Sequence, residues 1–342
     1  MTKNNRFDRR TVVASGLALS VLPATRALAA DANEIKLFDS HLHLVSNDVK
    51  RYPLVVRPAG YVSPSAMPAG SPPEPGATVN ARRPKFVPTT ETQLGWMDAA
   101  GVEMAAAVQR TGSYGFDNSY ILDSATAHPT RFRAVVVLDG EDAATPEKLR
   151  DLSKTRGIAG LGLAGGVKNP AFPWLKSEAA LKTWAAADAL GIAMNLLYAP
   201  KHFDEPALNA ITELAQKFPR TPIVVDHMGW AKAEGPPRYG FADTPPAFLR
   251  QQNIHLKFTT SFLNILEEAK LPSKEYLRNA VDVLGADRIM WGSDMGTSGG
   301  TYAEMVQRVR DATLSLNAAE QRKVLRETGL KVFASKKSGK TD

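Results

Sequence analysis

His41 and His43 stand two residues apart at the end of an apolar run, Ile35-Lys36-Leu37-Phe38-Asp39. On a strand, residues i and i+2 face the same side, so both imidazoles can point at one spot. His227, in Asp226-His227-Met228-Gly229, follows the apolar run Pro222–Val225, and Asp294, in Gly292-Ser293-Asp294, follows Ile289–Trp291. Imidazoles and a carboxylate gathered at strand ends can polarise a carbonyl, accept a proton from water, or hold a divalent ion. A single strand-end histidine is more often a hydrogen-bonded structural group, but four such groups at predicted strand ends point to a site. The other histidines read differently. His128 precedes Pro129 and marks a helix terminus, His202 lies on a loop beyond the fifth strand, and His255 sits near the start of a strand, at the wrong end.

The elements that must carry these groups alternate. Strands are predicted at Ile35–Asp39 (continuing to Leu44), Met104–Val108, Phe132–Leu138, Gly157–Leu163, Ile192–Tyr198, Pro222–Val225, Ile254–Phe258 and Ile289–Trp291. Helical patterns separate most of them, at Thr89–Ala100, Asp117–His128, Thr145–Thr155, Glu178–Leu190, Glu205–Phe218 and Ser273–Leu284. Helices at Thr301–Leu314 and Ala318–Ala334 complete the body. Eight βα units without a long antiparallel stretch predict an α/β protein built as a closed (β/α)8 TIM barrel, whose sites form at the C-terminal strand ends. The segment Tyr52–Thr92 is rich in Pro and Gly and too long for a simple loop, so a functional insertion after the first strand is expected. Gly160-Leu161-Gly162-Leu163-Ala164-Gly165 fits a dinucleotide fingerprint, but a loop follows it where a helix N-terminus is needed, so close packing at the mouth of strand four is the expected role of these glycines.

The chain has 342 residues, 44% hydrophobic and 23% charged, which suits one barrel domain over residues 30–335 with a frayed tail at 336–342. Absence of cysteine excludes disulfides, thiolate zinc sites and a thiol nucleophile. The net charge of +7 is partly local: Lys3, Arg6, Arg9, Arg10 and Arg26 against Asp8 place +4 in the first 30 residues. No basic stripe remains elsewhere to bind nucleic acid. Residues 1–29 read as a signal peptide: Arg9-Arg10, an apolar run from Thr11 to Leu22, and a small-residue site at Ala27-Leu28-Ala29. The paired arginines resemble a twin-arginine signal, so an exported, periplasmic mature chain beginning near Ala30 is expected, with no membrane span once the signal is removed and with homo-oligomerisation open.

Phe38-Asp39-Ser40-His41-Leu42-His43 resembles the first-strand signature of the amidohydrolase superfamily. Asp226-His227-Met228-Gly229 and Gly292-Ser293-Asp294 resemble the sixth- and eighth-strand signatures of its amidohydrolase-related branch. The stretch from Val108-Gln109 through Tyr114 to Tyr120 is similar to the subgroup of 2-pyrone-4,6-dicarboxylate lactonase, sulfomuconolactone hydrolase and sugar lactonases. The resemblance covers roughly residues 35–335 and implies lactone hydrolysis. Asp294 would act as general base, with His41, His43 and His227, or a metal held by some of them, polarising the carbonyl. Tyr114 and Asn118 would help bind the substrate. Metal-binding members usually add a histidine at the end of strand five, where this chain has Tyr198. His41, His43 and Asp294 could still hold one zinc or manganese ion, and a metal-free site in which the histidines donate hydrogen bonds is the other option. Strand four lacks a lysine to bridge two metals, since Lys168 lies past its end, so a binuclear centre is not expected.

Tyr198 is a candidate hydrogen-bond partner for substrate, and Lys257 either faces the mouth and binds a substrate carboxylate or lies on the barrel's outer ring. Trp230 stands where relatives acting on dicarboxylates often place an arginine, and strand four carries Leu163, so a less charged or aromatic-derived lactone is expected. Two other functions compete: a metal-dependent nonoxidative decarboxylase or hydratase of the same superfamily, and an exported small-molecule binding protein that has lost catalysis.

Overall fold

The computed structural model describes residues 35–55, 87–164, 172–197, 205–241 and 243–334. Eight parallel strands follow one another around the sheet in chain order: β1 (Leu37–Leu42), β2 (Val102–Val108), β3 (Phe132–Leu138), β4 (Gly160–Ala164), β5 (Ala193–Leu197), β6 (Ile223–Val225), β7 (Ile254–Thr259) and β8 (Ile289–Gly292). The chain just past β8 meets β1: the Asp294 amide donates to the His41 carbonyl at 2.7 Å and the His43 amide to the Met295 carbonyl at 2.9 Å. Helices pack outside, so the fold is the expected (β/α)8 barrel.

Alternation along each strand sorts the side chains. Outward residues such as Ala105, Leu161, Ile223, Leu256 and Phe258 join the helices in the main apolar core. Inward residues Phe38, Ala106, Val108, Val135, Ala193, Val224 and Met290 form a second cluster with Val332 and Phe333 from the C-terminus. The lower barrel is therefore filled with apolar side chains, and polar inward groups lie above them. Gly160 leaves room for this floor: a Cβ there would lie 3.2 Å from both Val135 methyls and 3.4 Å from the Phe333 ring. Close packing is thus the role of Gly160, but at the floor of the barrel and not at the expected place, the mouth of strand four.

Helix ends follow local chemistry. Ser177 caps Glu178–Leu190 by accepting the Ala180 amide, and Thr301 with Glu304 forms a capping box at Tyr302–Thr313. Two predicted elements need correction. A helix at Thr260–Glu268, not foreseen, follows β7 with no intervening loop; its β-branched start, Thr259-Thr260, reads as strand continuation. The C-terminal helix is not continuous over Ala318–Ala334. It runs Ala318–Arg322, passes through a π-helical turn at Lys323–Glu327, and resumes over Thr328–Val332. The break lets Gly329 approach β1 so closely that a Cβ would meet Phe38 Cδ1 at 2.5 Å. Residues 1–29, most of the Tyr52–Thr92 insertion, Lys168, Tyr198, His202 and the tail 336–342 lie outside the described residues.

Candidate active site

A backbone irregularity in β1 aims the two histidines. Asp39 pairs with Ala105 and Leu42 with Ala107, so β1 advances three residues where β2 advances two. Asp39 and Leu42 both face outward; Asp39 reaches Tyr302 and Leu42 joins the outer core. Plain alternation from Asp39 would send His41 outward as well. The extra residue resets the phase and turns His41 and His43 inward. Asp39 fastens this bulge to β8, since its Oδ1 accepts the amides of His41 at 3.0 Å and Ser293 at 2.8 Å while Oδ2 accepts the Tyr302 hydroxyl at 2.9 Å. Burial raises the Asp39 pKa to about 6, outweighing these hydrogen bonds.

The groups expected from sequence to form the site do meet. His41 Nε2 and His43 Nε2 lie 3.3 Å apart, and Asp294 Oδ1 is 3.6 and 3.5 Å from them. His43 Nδ1 donates to the Val108 carbonyl at 2.9 Å, which leaves a lone pair on Nε2. Asp294 has a left-handed backbone, φ 53°, and its Oδ2 accepts hydroxyls from Ser261 and, at 2.9 Å, Ser298. Its Oδ1 is buried and receives no hydrogen bond from any described residue. Burial alone would raise the Asp294 pKa, but the contact with His43 and the other surrounding imidazoles more than offset it and hold the group low, hence ionised.

His227 lies across from His41, ring centroids 5.3 Å apart, with its Nδ1 2.7 Å from Thr259 Oγ1. It is reached through three successive left-handed residues, His227, Met228 and Gly229, with φ of 54°, 55° and 63°. Non-glycine residues in such backbone cost about 1–3 kcal/mol each, and such strain collects at functional sites.

Beneath these groups sits a buried quartet that sequence reading missed in part. Lys257 is fully buried inside the barrel, not on its outer ring and not presented to the mouth. Its Nζ donates to Asn195 Oδ1 at 2.7 Å and lies 3.0 Å from His41 Nδ1 and 3.1 Å from Asp226 Oδ1. Asn195 Nδ2 in turn donates to Asp226 Oδ2 at 2.9 Å. Burial would raise the Asp226 pKa, but Lys257 and His41 hold it low; burial lowers the Lys257 pKa despite Asp226. Burial and the Lys257 charge together lower His41 to about 4, so it is neutral at neutral pH. His41 Nδ1 stands between a donor, Lys257, and an acceptor, Asp226 Oδ1 at 3.4 Å, so either tautomer finds a partner. Asp226 carried a readable signal: it ends a strand just as Asp294 does.

The expected substrate contacts fare less well. Asn118 is turned away, its carboxamide clamping β3 by accepting the Val137 amide at 2.7 Å and donating to the Val137 carbonyl at 2.9 Å. Tyr114 is buried and its hydroxyl accepts the Ser46 amide at 2.8 Å, so it holds the segment after β1 in place. Tyr198 and the side chain of Trp230 fall outside what the structure describes. Arg110, just past β2, was not singled out; its guanidinium donates to Thr297 Oγ1 at 2.5 Å, tying the rim of β2 to the loop after Asp294.

His41, His43 and Asp294, the upper trio, are spaced like the ligands of a metal ion. Four ligands in a tetrahedron at about 2.0–2.2 Å from an ion stand roughly 3.3–3.6 Å from each other. The observed spacings of 3.3, 3.5 and 3.6 Å match, and the unpartnered Asp294 Oδ1 with the His43 lone pair gives suitable donors. His43 bonded to a carbonyl and His41 beside Asp226 also provide the outer partners that ligating histidines need. The residues fit one divalent ion.

Comparison with known proteins agrees with this geometry. The family model described as amidohydrolase matches residues 38–334. The chain is 25% identical over 226 residues to 4-sulfomuconolactone hydrolase of Rhizobium radiobacter, covering 64% of this chain and 70% of that protein. Among solved structures, a probable 2-pyrone-4,6-dicarboxylic acid hydrolase of Acinetobacter baumannii with bound citric acid has a TM-score of 0.60 at 16% identity, over 87% of this chain and 99% of its own. The 5-carboxyvanillate decarboxylase of Novosphingobium aromaticivorans, complexed with manganese and a nitrobenzoic acid, has a TM-score of 0.61 at 15% identity, over 88% and 96%. At those identities the structural likeness bears on fold alone. The family model, however, spans the barrel from Phe38, three residues before His41, to the C-terminal helix that fills its floor, and the chain belongs to the amidohydrolase family.

Proposed function

We propose that this hydrolase opens a lactone of a small organic or aromatic-derived acid by attack of water. The observation that carries the reading is Asp294 Oδ1: buried, ionised, without a donor among the described residues, and facing the Nε2 atoms of His41 and His43. Such an oxygen is placed to accept a proton from water. Ser261 and Ser298 hold the other carboxylate oxygen, so Oδ1 keeps its direction. Without a metal, His41 with Lys257 donating at Nδ1 presents an Nε2–H donor toward a carbonyl oxygen, and removing an oriented donor of that kind costs about 3–4 kcal/mol of transition-state stabilisation; with Nδ1–H turned to Asp226 instead, Nε2 is free to hold an ion. His227, oriented by Thr259, is the group to protonate the leaving alkoxide or enolate.

A carboxylate held low in pKa is a weak base, which favours help from an electrophile. His41, His43 and Asp294 would hold one zinc or manganese ion; when bound, it supplies Lewis acidity, lowering the pKa of water from 15.7 to about 7 and polarising the carbonyl. A manganese-bound fold neighbour supports that choice of metal. Fold neighbours that are decarboxylases favour a second reading, release of carbon dioxide from an aromatic acid on the same residues.

The test is hydrolysis across neutral and dicarboxylate lactones, before and after exhaustive chelation, with Asp294→Asn alongside. Lactone turnover that dies with Asp294→Asn supports the proposal. Carbon dioxide release from aromatic acids without lactone turnover replaces it with the second reading. A strong preference for the dicarboxylate overturns the less charged substrate. We also propose export through residues 1–29 to the periplasm; a periplasmic chain starting near Ala30 is expected, and an uncleaved cytoplasmic chain refutes it.

A further inference from the structure

The site contains a second trio of potential metal donors. His41, Asp226 and His227 each offer a donor atom, all within 4.8 Å of one another, and the trio shares His41 with the upper set. Taken by residue type alone, the barrel could hold two ions side by side. What differs between the two lobes is Lys257. Its ammonium donates to Asn195 Oδ1 at 2.7 Å, lies 3.0 Å from His41 Nδ1 and forms an ion pair with Asp226 Oδ1 at 3.1 Å. Two of these partners belong to the lower trio. The Lys257 stem is fully buried and its Nζ lies 5.3 Å from the centroid of the Phe333 ring, so the charge is enclosed by the apolar floor below and the donors above. Among the described residues, Asp294 forms ion-pair contacts with His41 and His43 and with no lysine or arginine, whereas Asp226 Oδ1 has Lys257 at 3.1 Å.

We infer that Lys257 is an internal cation that occupies the lower lobe and restricts the site to one metal ion. An ammonium at 3.0–3.1 Å from two of the three donors repels a divalent ion brought to the same place. In one chain, a fixed organic charge does for the lower lobe what an exchangeable ion does for the upper one. This rests on the reading of the upper trio as a metal site only for the ion it admits; the closure of the lower lobe stands on Lys257 itself.

The experiment is metal stoichiometry, measured by plasma mass spectrometry on full-length folded protein equilibrated with manganese and then with zinc. Wild type, Lys257→Ala and Lys257→Ala/His227→Ala are compared, each checked for a cooperative melt. The expected result is one more ion per chain in Lys257→Ala than in wild type, with the gain lost in the double variant. A folded Lys257→Ala that takes up no more metal than wild type overturns the inference. If Lys257→Ala does not fold, the electron paramagnetic resonance of manganese-loaded wild type decides. Isolated ions support it, and a spin-coupled pair, as expected for two ions about 3.5–4 Å apart, overturns it. Wild type with no ion and Lys257→Ala with one would remove the metal from the proposed reaction while supporting the inference, so the two can fail separately.

Discussion

Gly292 is the position at which a single methyl group should damage both the fold and the site. It is the last residue of β8, and a Cβ built on it would lie 2.7 Å from His41 Cβ and 3.0 Å from the His41 amide nitrogen. Both are backbone-proximal atoms that no rotamer change can move. An ordinary contact needs about 3.5 Å or more, so Gly292→Ala must push β8 from β1 by roughly 0.5–1 Å. That seam carries the Asp294 amide to the His41 carbonyl at 2.7 Å and the Ser293 amide to Asp39 at 2.8 Å, and it sets the 3.6 Å spacing of His41 and Asp294. Overpacking of this kind costs about 1–3 kcal/mol. For a barrel of this size, unfolding entropy converts that into a fall of about 2–5 °C in melting temperature. Displacing a catalytic pair by about 1 Å can cost on the order of 100-fold in rate. The assay pairs a thermal melt with kcat/KM on whichever lactone the wild type turns over best. A variant with wild-type rate and melting temperature would show that the barrel seam does not set the geometry of Asp294, and the reasoning would fall.

Three other outcomes are expected. Asp294→Asn should fold, because a carboxamide oxygen can still accept from Ser261 and Ser298, but should lose about 100- to 10,000-fold in kcat as the proton acceptor is removed; near-normal turnover would move the base elsewhere. Lys257→Met leaves Asp226 buried and short of its cation, at a cost of about 3–5 kcal/mol, whereas Lys257→Met/Asp226→Asn should recover most of that. Chemical denaturation with chelator present measures both, and additive losses would deny the coupling. Acidification should also destabilise the barrel through its buried histidines. His41 and His255 are lowered from 6.5 to about 4, chiefly by burial, so the unfolded chain binds protons that the folded one refuses. Stability is therefore full above pH 6.5 and falls as pH drops toward 4, by up to about 3 kcal/mol for each histidine. His255→Gln, remote from the site, should remove about half of that slope, and an unchanged slope would count against it.

The barrel was legible because its signals are local: apolar runs of strand length, helical periodicity between them, and polar residues placed just after the runs. The same logic located His41, His43, His227 and Asp294, since strand-end position alone brings them to one mouth. The polar layer below was harder to see. Asn195 and Lys257 sit within strands whose neighbours are apolar, and a lysine in a strand reads equally well as solvent-facing until closure shows that Asp226 and Asn195 meet it. Asp226 was within reach, being a strand-end carboxylate beside His227. The bulge between Asp39 and Leu42 has no sequence mark, because it arises from pairing with β2 and from Asp39 bonding two amides on different strands. Asn118 and Tyr114 misled because polarity near a motif says nothing of direction. The Asn118 carboxamide is bonded to the Val137 backbone and the Tyr114 hydroxyl accepts the Ser46 amide, contacts that only the folded loops bring about.

The buried charges constrain what the mouth can accept. With His41 neutral, Lys257 supplies one positive charge against the ionised Asp226 and Asp294, so these groups carry one negative charge in excess. Asp226 is already met by Lys257, which places the excess on Asp294, at the oxygen that faces the two Nε2 atoms. A second carboxylate from a substrate, brought directly against that oxygen, would be repelled at low dielectric unless a cation stood between them. A hydrogen-bond donor or a cation is favoured there instead. Water answers the first description and a divalent ion the second, and a neutral ester carbonyl can share the space with either. Because Lys257 neutralises the lower lobe, a single divalent ion turns the excess from one negative to one positive charge, whereas two would leave the buried site with three. The charge balance thus favours the same outcome as the geometry of the donors: at most one ion, in the upper lobe, against Asp294 Oδ1.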